Sequence, residues 1–87
     1  MIYKIVAIRD RAGDLFSQPA FVNSRGAAIR SFGDEVNRKA ENNQLNTHPE
    51  DFDLYEIGTF DDSTGELIPT TPKQIAVGKD LKTLPQP

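Results

Sequence analysis

Apolar and polar positions alternate along residues 2–9, IYKIVAIR. Ile2, Lys4, Val6 and Ile8 fall on one side of an extended chain, and Tyr3, Ile5, Ala7 and Arg9 on the other. Both sets are largely apolar, which predicts a central strand covered at least partly on both faces. Residues 10–13, DRAG, read as a turn: the Asp side chain starts it and Gly13 accepts a positive φ. Residues 14–17 return as a second strand. Gln18-Pro19 interrupts it because proline cannot donate to a ladder, and 20–22 resume an extended run. The period then changes to about 3.6 residues. Ala28, Phe32, Val36 and Ala40 recur at i+4 with Ile29 beside them, predicting a helix over 23–43 that packs a narrow stripe on a sheet. Asn23 or Ser24 serves as N-cap, Arg30 and Asp34 form an i,i+4 pair, and Asn42-Asn43 stops the helix. Residues 44–51 read as a loop. In the strand 52–60, Phe52 and Leu54 share one face, Tyr55 and Ile57 the other, and Gly58 marks a bulge. Residues 61–65 turn, 66–68 return, 69–72 (PTTP) break the strand, and 73–78 offer a last short one. Residues 79–87 read as a loose, flexible tail.

Two phrases echo each other across this pattern: AGDLFSQP at 12–19 and TGELIPTTP at 64–72. Each supplies turn residues, an apolar pair for a strand, and a proline that blunts an edge. Two β-hairpins flanking one helix are therefore expected: an α+β fold, ββαββ, with an antiparallel sheet packed on the helix. It forms one domain over 1–78.

Composition narrows the function classes. The chain of 87 residues has no Cys, one His and a net charge of −3. No disulfide can staple it, and the usual zinc sites lack ligands. A domain of this size buries only roughly 60% of its unfolded surface, so a homodimer is expected to add core. No signal-peptide pattern or membrane-length apolar run is present, and the reading is a soluble protein of a reducing cytoplasm without a membrane partner. Charge is segregated: residues 1–40 carry seven bases and four acids, 41–66 eight acids and no base, and 67–87 three bases and one acid. Such a chain can present one basic and one acidic surface.

Candidate chemistry is sparse. His48 stands beside Pro49 in a polar stretch with no nucleophile-elbow pattern. DDSTGE at 61–66 fails the calcium-loop pattern, because Gly65 falls at position 5 from Asp61 instead of 6. No glycine-rich phosphate loop occurs. The expectation is a protein that is not an enzyme and has no cofactor and no metal. What remains is basic and aromatic. Arg25, Arg30, Arg38 and Lys39 lie on or near the helix, Arg9 and Arg11 flank the first turn, and Tyr3, Phe16, Phe21 and Tyr55 lie on strands. Aromatics on a sheet can stack unpaired bases while cations neutralise phosphates, which points to single-stranded DNA. The alternative is a protein–protein adaptor that captures a partner protein through the acidic 41–66 segment or a sheet edge.

Several stretches together resemble a known family. MIYKIVAIRDRAGDLFSQPAFVNSRGAAIRSF, followed by HPEDFDLYEIGTFDDSTGELIP, is similar to the small non-structural protein of gokushoviruses, a group within the Microviridae. The similarity rests on Ile8-Arg9-Asp10, Pro19, the helix start at Asn23, Ala28, Arg30 and Phe32, then Pro49, the run at 51–61, and Gly65. It covers residues 1 to about 78. It implies a non-capsid phage protein acting in the host cytoplasm, in viral DNA replication or genome packaging. In that setting the adaptor alternative would capture a host or phage replication factor, and no catalytic residue carries over.

Overall fold

The computed structural model describes residues 1–83. In chain order they form β1 (Ile2–Asp10), β2 (Leu15–Phe16), β3 (Ala20–Val22), α1 (Arg25–Asn37), α2 (Gln44–Thr47), a 3-10 turn (Pro49–Asp51), β4 (Phe52–Asp61), β5 (Glu66–Val77) and α3 (Gly78–Leu81). The fold is α+β, with one antiparallel sheet ordered β2-β1-β4-β5 and β3 also paired to β1. β2 and β3 are two pieces of one outer strand, broken where Gln18 and Pro19 leave the ladder; Ser17 still donates its N–H to Ile8 O at 2.7 Å, and its hydroxyl accepts from the Ile8 N–H at 2.9 Å. The expected hairpins therefore form, but with five strands and three α-helices in place of four and one.

β1 is central, as its two apolar faces predict. On one face Val6 joins Ala28, Phe32, Val36 and Leu54 in the core, with Ile8, Val22, Ile29, Leu45, Phe52 and Leu81 packed around it. The i+4 stripe of α1 supplies the helix side. Ser24 is the N-cap, its hydroxyl accepting from the Ala27 N–H at 3.1 Å.

Five expectations need correction. The helix ends at Asn37 rather than at 43. Side-chain amides take over its last carbonyls: Asn43 donates to Glu35 O and Arg38 O, each at 2.8 Å, and Asn46 donates to Val36 O at 2.9 Å. These bonds do what further helical turns would do. Ala40 thus leaves the stripe, and 44–51 fold into two short helical turns instead of a loop. Residues 69–72 do not end a strand. β5 runs through both prolines because it is the sheet edge, and residues 70–72 bulge outward between the Gly58↔Pro69 and Glu56↔Lys73 pairs. The first turn puts its positive φ on Asp14 (56°), not on Gly13; in the second turn Gly65 (76°) takes it as expected. Finally, residues 79–83 are tied down. Asn37 Nδ2 donates to Leu81 O at 3.0 Å, and Thr83 N donates to Asn37 Oδ1 at 2.8 Å. The rest of the expected tail, 84–87, lies outside the described residues.

Gly58 does sit at a bulge, with the register against β1 shifting between Ile5 and Val6. A Cβ on Gly58 would stand 2.7 Å from Ile68 O. Only glycine lets β5 approach this closely, and the bulge keeps Phe60 and Tyr55 on the same face as Tyr3 and Ala7.

Candidate nucleic-acid interface

Cross-strand neighbours share a face, so the register assigns each paired strand residue to the helix side or the open side. Tyr3, Ile5, Ala7 and Arg9 face the open side. So do Phe60, opposite Tyr3, and Tyr55, opposite Ala7. Phe21, opposite Ile5, and Phe16, opposite Arg9, complete the set. Five rings thus gather on the face that no helix covers.

They form two clusters. Near the β4–β5 turn, Tyr3 stacks on Phe60 with centroids 6.2 Å apart, and Phe21 meets Phe60 at 5.5 Å. Toward the other end, Phe16 packs edge-on against Tyr55 at 5.3 Å. Between them lie Ile5, Ala7 and Gly58, all buried. Phe21 and Phe16 keep 57% and 38% of their surface exposed, so the outer strand presents its rings to solvent. Arg9 lies over Phe16 at 5.2 Å from the ring centroid and pairs with Asp14 at 2.5 Å. That pair is exposed, so little holds it against a competing anion.

The bases proposed from sequence divide between two layers. Arg9 and Tyr3 belong to the open face. Arg11 stands at its end, bonded to Glu50 O and 3.2 Å from Asp53. The other four belong to the helix layer. Arg25 holds Glu56 through two contacts at 3.1 and 3.2 Å, which presses the Glu56 carboxyl below its usual range. Arg38 clasps Glu35 at 2.7 Å, with the same direction of shift on Glu35. Arg30 and Lys39 make no ion pair among the described residues, and the expected Arg30–Asp34 pair does not close. The helix bases and the aromatics therefore sit on opposite sides of the sheet. Phe60 was missing from the sequence-derived set, although its two-residue spacing from Gly58 would have placed it.

The acidic block is not one surface. Asp53 is buried, with Oδ1 unpartnered, and Glu56 belongs to Arg25. Asp61 accepts from Ser63 within the second turn, and Asp62 binds the chain's N-terminal ammonium at 2.7 Å. His48, Glu50 and Asp51 bring ligand atoms within 4.8 Å of one another on the exposed side of the 3-10 turn. Among the described residues, no helix is long and apolar enough to cross a membrane.

Comparisons with known proteins point to phages. A family model described as Phage ORF5 protein matches residues 3–81. Protein ORF5 of Chlamydia phage 1 is 44% identical over 57 residues, which is 66% of this chain and 57% of that protein. The match thus spans little more than half of that relative's length. No solved structure matches.

Proposed function

The chain belongs to the phage ORF5 protein family, a small phage protein of the Microviridae type, and we propose that it is a non-enzymatic accessory of viral DNA replication or packaging that binds single-stranded DNA. The reading rests on one observation: five aromatic rings lie together on an uncovered sheet face, with an arginine among them. Every base has a π-face, so stacking needs no particular sequence, and each stacked base contributes about 1–3 kcal/mol. Unpaired strands can lay bases on such a face; a duplex offers only its charged exterior.

In this reading bases stack on the Tyr3–Phe60–Phe21 and Phe16–Tyr55 clusters. Arg9 exchanges Asp14 for a phosphate. Arg25 and Arg38, engaged by carboxylates on the other layer, are not the principal phosphate contacts. The setting implied by the family is the cytoplasm of the bacterial host.

The test is fluorescence anisotropy with labelled single-stranded and duplex oligonucleotides across a salt series. The single strand should bind more tightly and weaken with added salt. Phe21→Ala should weaken binding about tenfold or more, the loss of one stacked base, while Arg25→Ala changes it little. Absence of binding at low salt would reject the reading in favour of a protein partner on the same face.

A further inference from the structure

α1 covers only part of the face it lies on. Its first residue, Arg25, stands over Glu56, and the cross-strand rows beyond Glu56 have no helix above them. Those rows are Lys4, Thr59 and Ile68, then Ile2, Asp61 and Glu66; Val22, beside Lys4 on the outer strand, packs toward the core instead. Ile2 and Ile68 remain 53% and 52% exposed there, on the side away from the rings. The molecule is therefore a step: sheet and helix at one end, bare sheet at the other. It measures 50 × 26 × 20 Å with a radius of gyration of 13.8 Å. A compact chain of this length would have about 12 Å.

We propose that a second copy of this chain docks on the shelf about a two-fold axis. Charge complementarity carries the choice of occupant. The outer end of the shelf is acidic, with Asp61 and Glu66; Asp62 beside them is held by the N-terminal ammonium. Its inner end is basic, with Lys4 and, one row further in, Lys73. A two-fold axis lying across the strands reverses one copy against the other. It sets each acidic tip over the partner's lysines and packs the Ile2 and Ile68 side chains of both copies between them. The two steps interlock, with each tip abutting the N-terminal end of the partner's α1. Edge-to-edge pairing along β5 is blocked instead, because Pro69 and Pro72 lack N–H groups and 70–72 bulge outward. The shelf is three strands wide at about 4.8 Å each and about five residues long at about 3.3 Å each. With the end contacts, roughly 500–600 Å² is buried in total, so association is weak and concentration-dependent. The aromatic face stays outward in both copies.

Sedimentation equilibrium of the full chain over a concentration series tests this. A monomer–dimer equilibrium is expected. Ile68→Asp should raise the dissociation constant by about tenfold or more, since it sets a charge in the middle of the contact. Phe21→Asp, on the opposite face, should leave it unchanged. Lys4→Glu and Glu66→Lys should each weaken the dimer, and the double variant should recover much of the loss. Circular dichroism checks that each variant is folded. A monomer at every concentration up to about 1 mM, dissociation by Phe21→Asp but not by Ile68→Asp, or a double variant no better than the singles would each overturn the proposal. Oligonucleotide binding by Ile68→Asp is a separate readout, and it should persist whether or not the dimer forms.

Discussion

Truncating Phe32 to alanine should be the most damaging single change in α1. Phe32 is only 4% exposed and sits between Ala28 and Val36, against Val6 and Leu54. Phe→Ala in a core costs about 3–5 kcal/mol, made up of lost transfer energy and the cavity left behind. The lower end applies here. Phe32 also walls an open apolar pocket of about 220 Å³, bounded by Ile8, Ser17, Gln18, Ala20, Val22 and Ser31. The new hole would join that opening instead of standing as a sealed void. A loss of about 3 kcal/mol compares with about 4–13 kcal/mol of total stability for a chain of this length. At about 4–8 °C per kcal/mol, the midpoint should fall by about 12–24 °C. The assay is thermal unfolding followed by circular dichroism, with Phe21→Ala as the exposed control, expected to cost less than about 1 kcal/mol. A drop for Phe32→Ala of under about 4 °C would refute the assignment of the stripe to the core.

Three further outcomes follow from the same geometry. Gly78→Ala should destabilise by about 1–3 kcal/mol in chemical denaturation, because a Cβ there would meet the Pro49 and Phe52 carbonyl oxygens, the latter at 2.8 Å. Ser24→Ala should cost about 1 kcal/mol by removing the cap on the Ala27 N–H, read as a lower denaturant midpoint at unchanged slope. Arg25 holds the Glu56 carboxyl below its usual range. That stabilisation is present above the ordinary carboxylate pKa of about 4.3 and is lost as pH falls through the depressed folded value. Denaturant midpoints measured down to about pH 3 should therefore show a shallower acid-side decline in Arg25→Ala than in the parent.

Local patterns made the fold legible where neighbours in sequence decide structure. The two-faced composition of residues 2–9 put β1 at the sheet centre, and the i+4 run of Ala28, Phe32 and Val36 named the buried stripe. The pattern failed where distant groups decide. Asn43 and Asn46 end α1 by reaching back to its carbonyls, and no propensity of residues 38–43 encodes that. Leu81 looked like part of a tail because its anchor is Asn37, 44 positions away. Pro69 and Pro72 read as breakers, yet an edge strand needs no inward N–H from them.

The site was half legible for the same reason. Alternation alone puts Tyr3 and Arg9 on one face of β1, but which face the helix leaves bare depends on packing. Arg25 looked free in sequence, whereas its partner Glu56 arrives from 31 residues away. The helix bases and the strand aromatics looked like one constellation only because the sheet between them is invisible in a linear chain.

The most direct measurement uses the chain's own reporters. There is no tryptophan and there are two tyrosines, Tyr3 and Tyr55, one in each aromatic cluster of the open face. Tyrosine emission of the unlabelled protein should be followed while a single-stranded oligothymidylate is added. Stacking on the open face predicts saturable quenching of that emission, reversed by salt and reduced in Tyr3→Phe and in Tyr55→Phe, each of which leaves one reporter. Unchanged tyrosine emission at concentrations where anisotropy shows the oligonucleotide bound would place the DNA elsewhere and contradict the account.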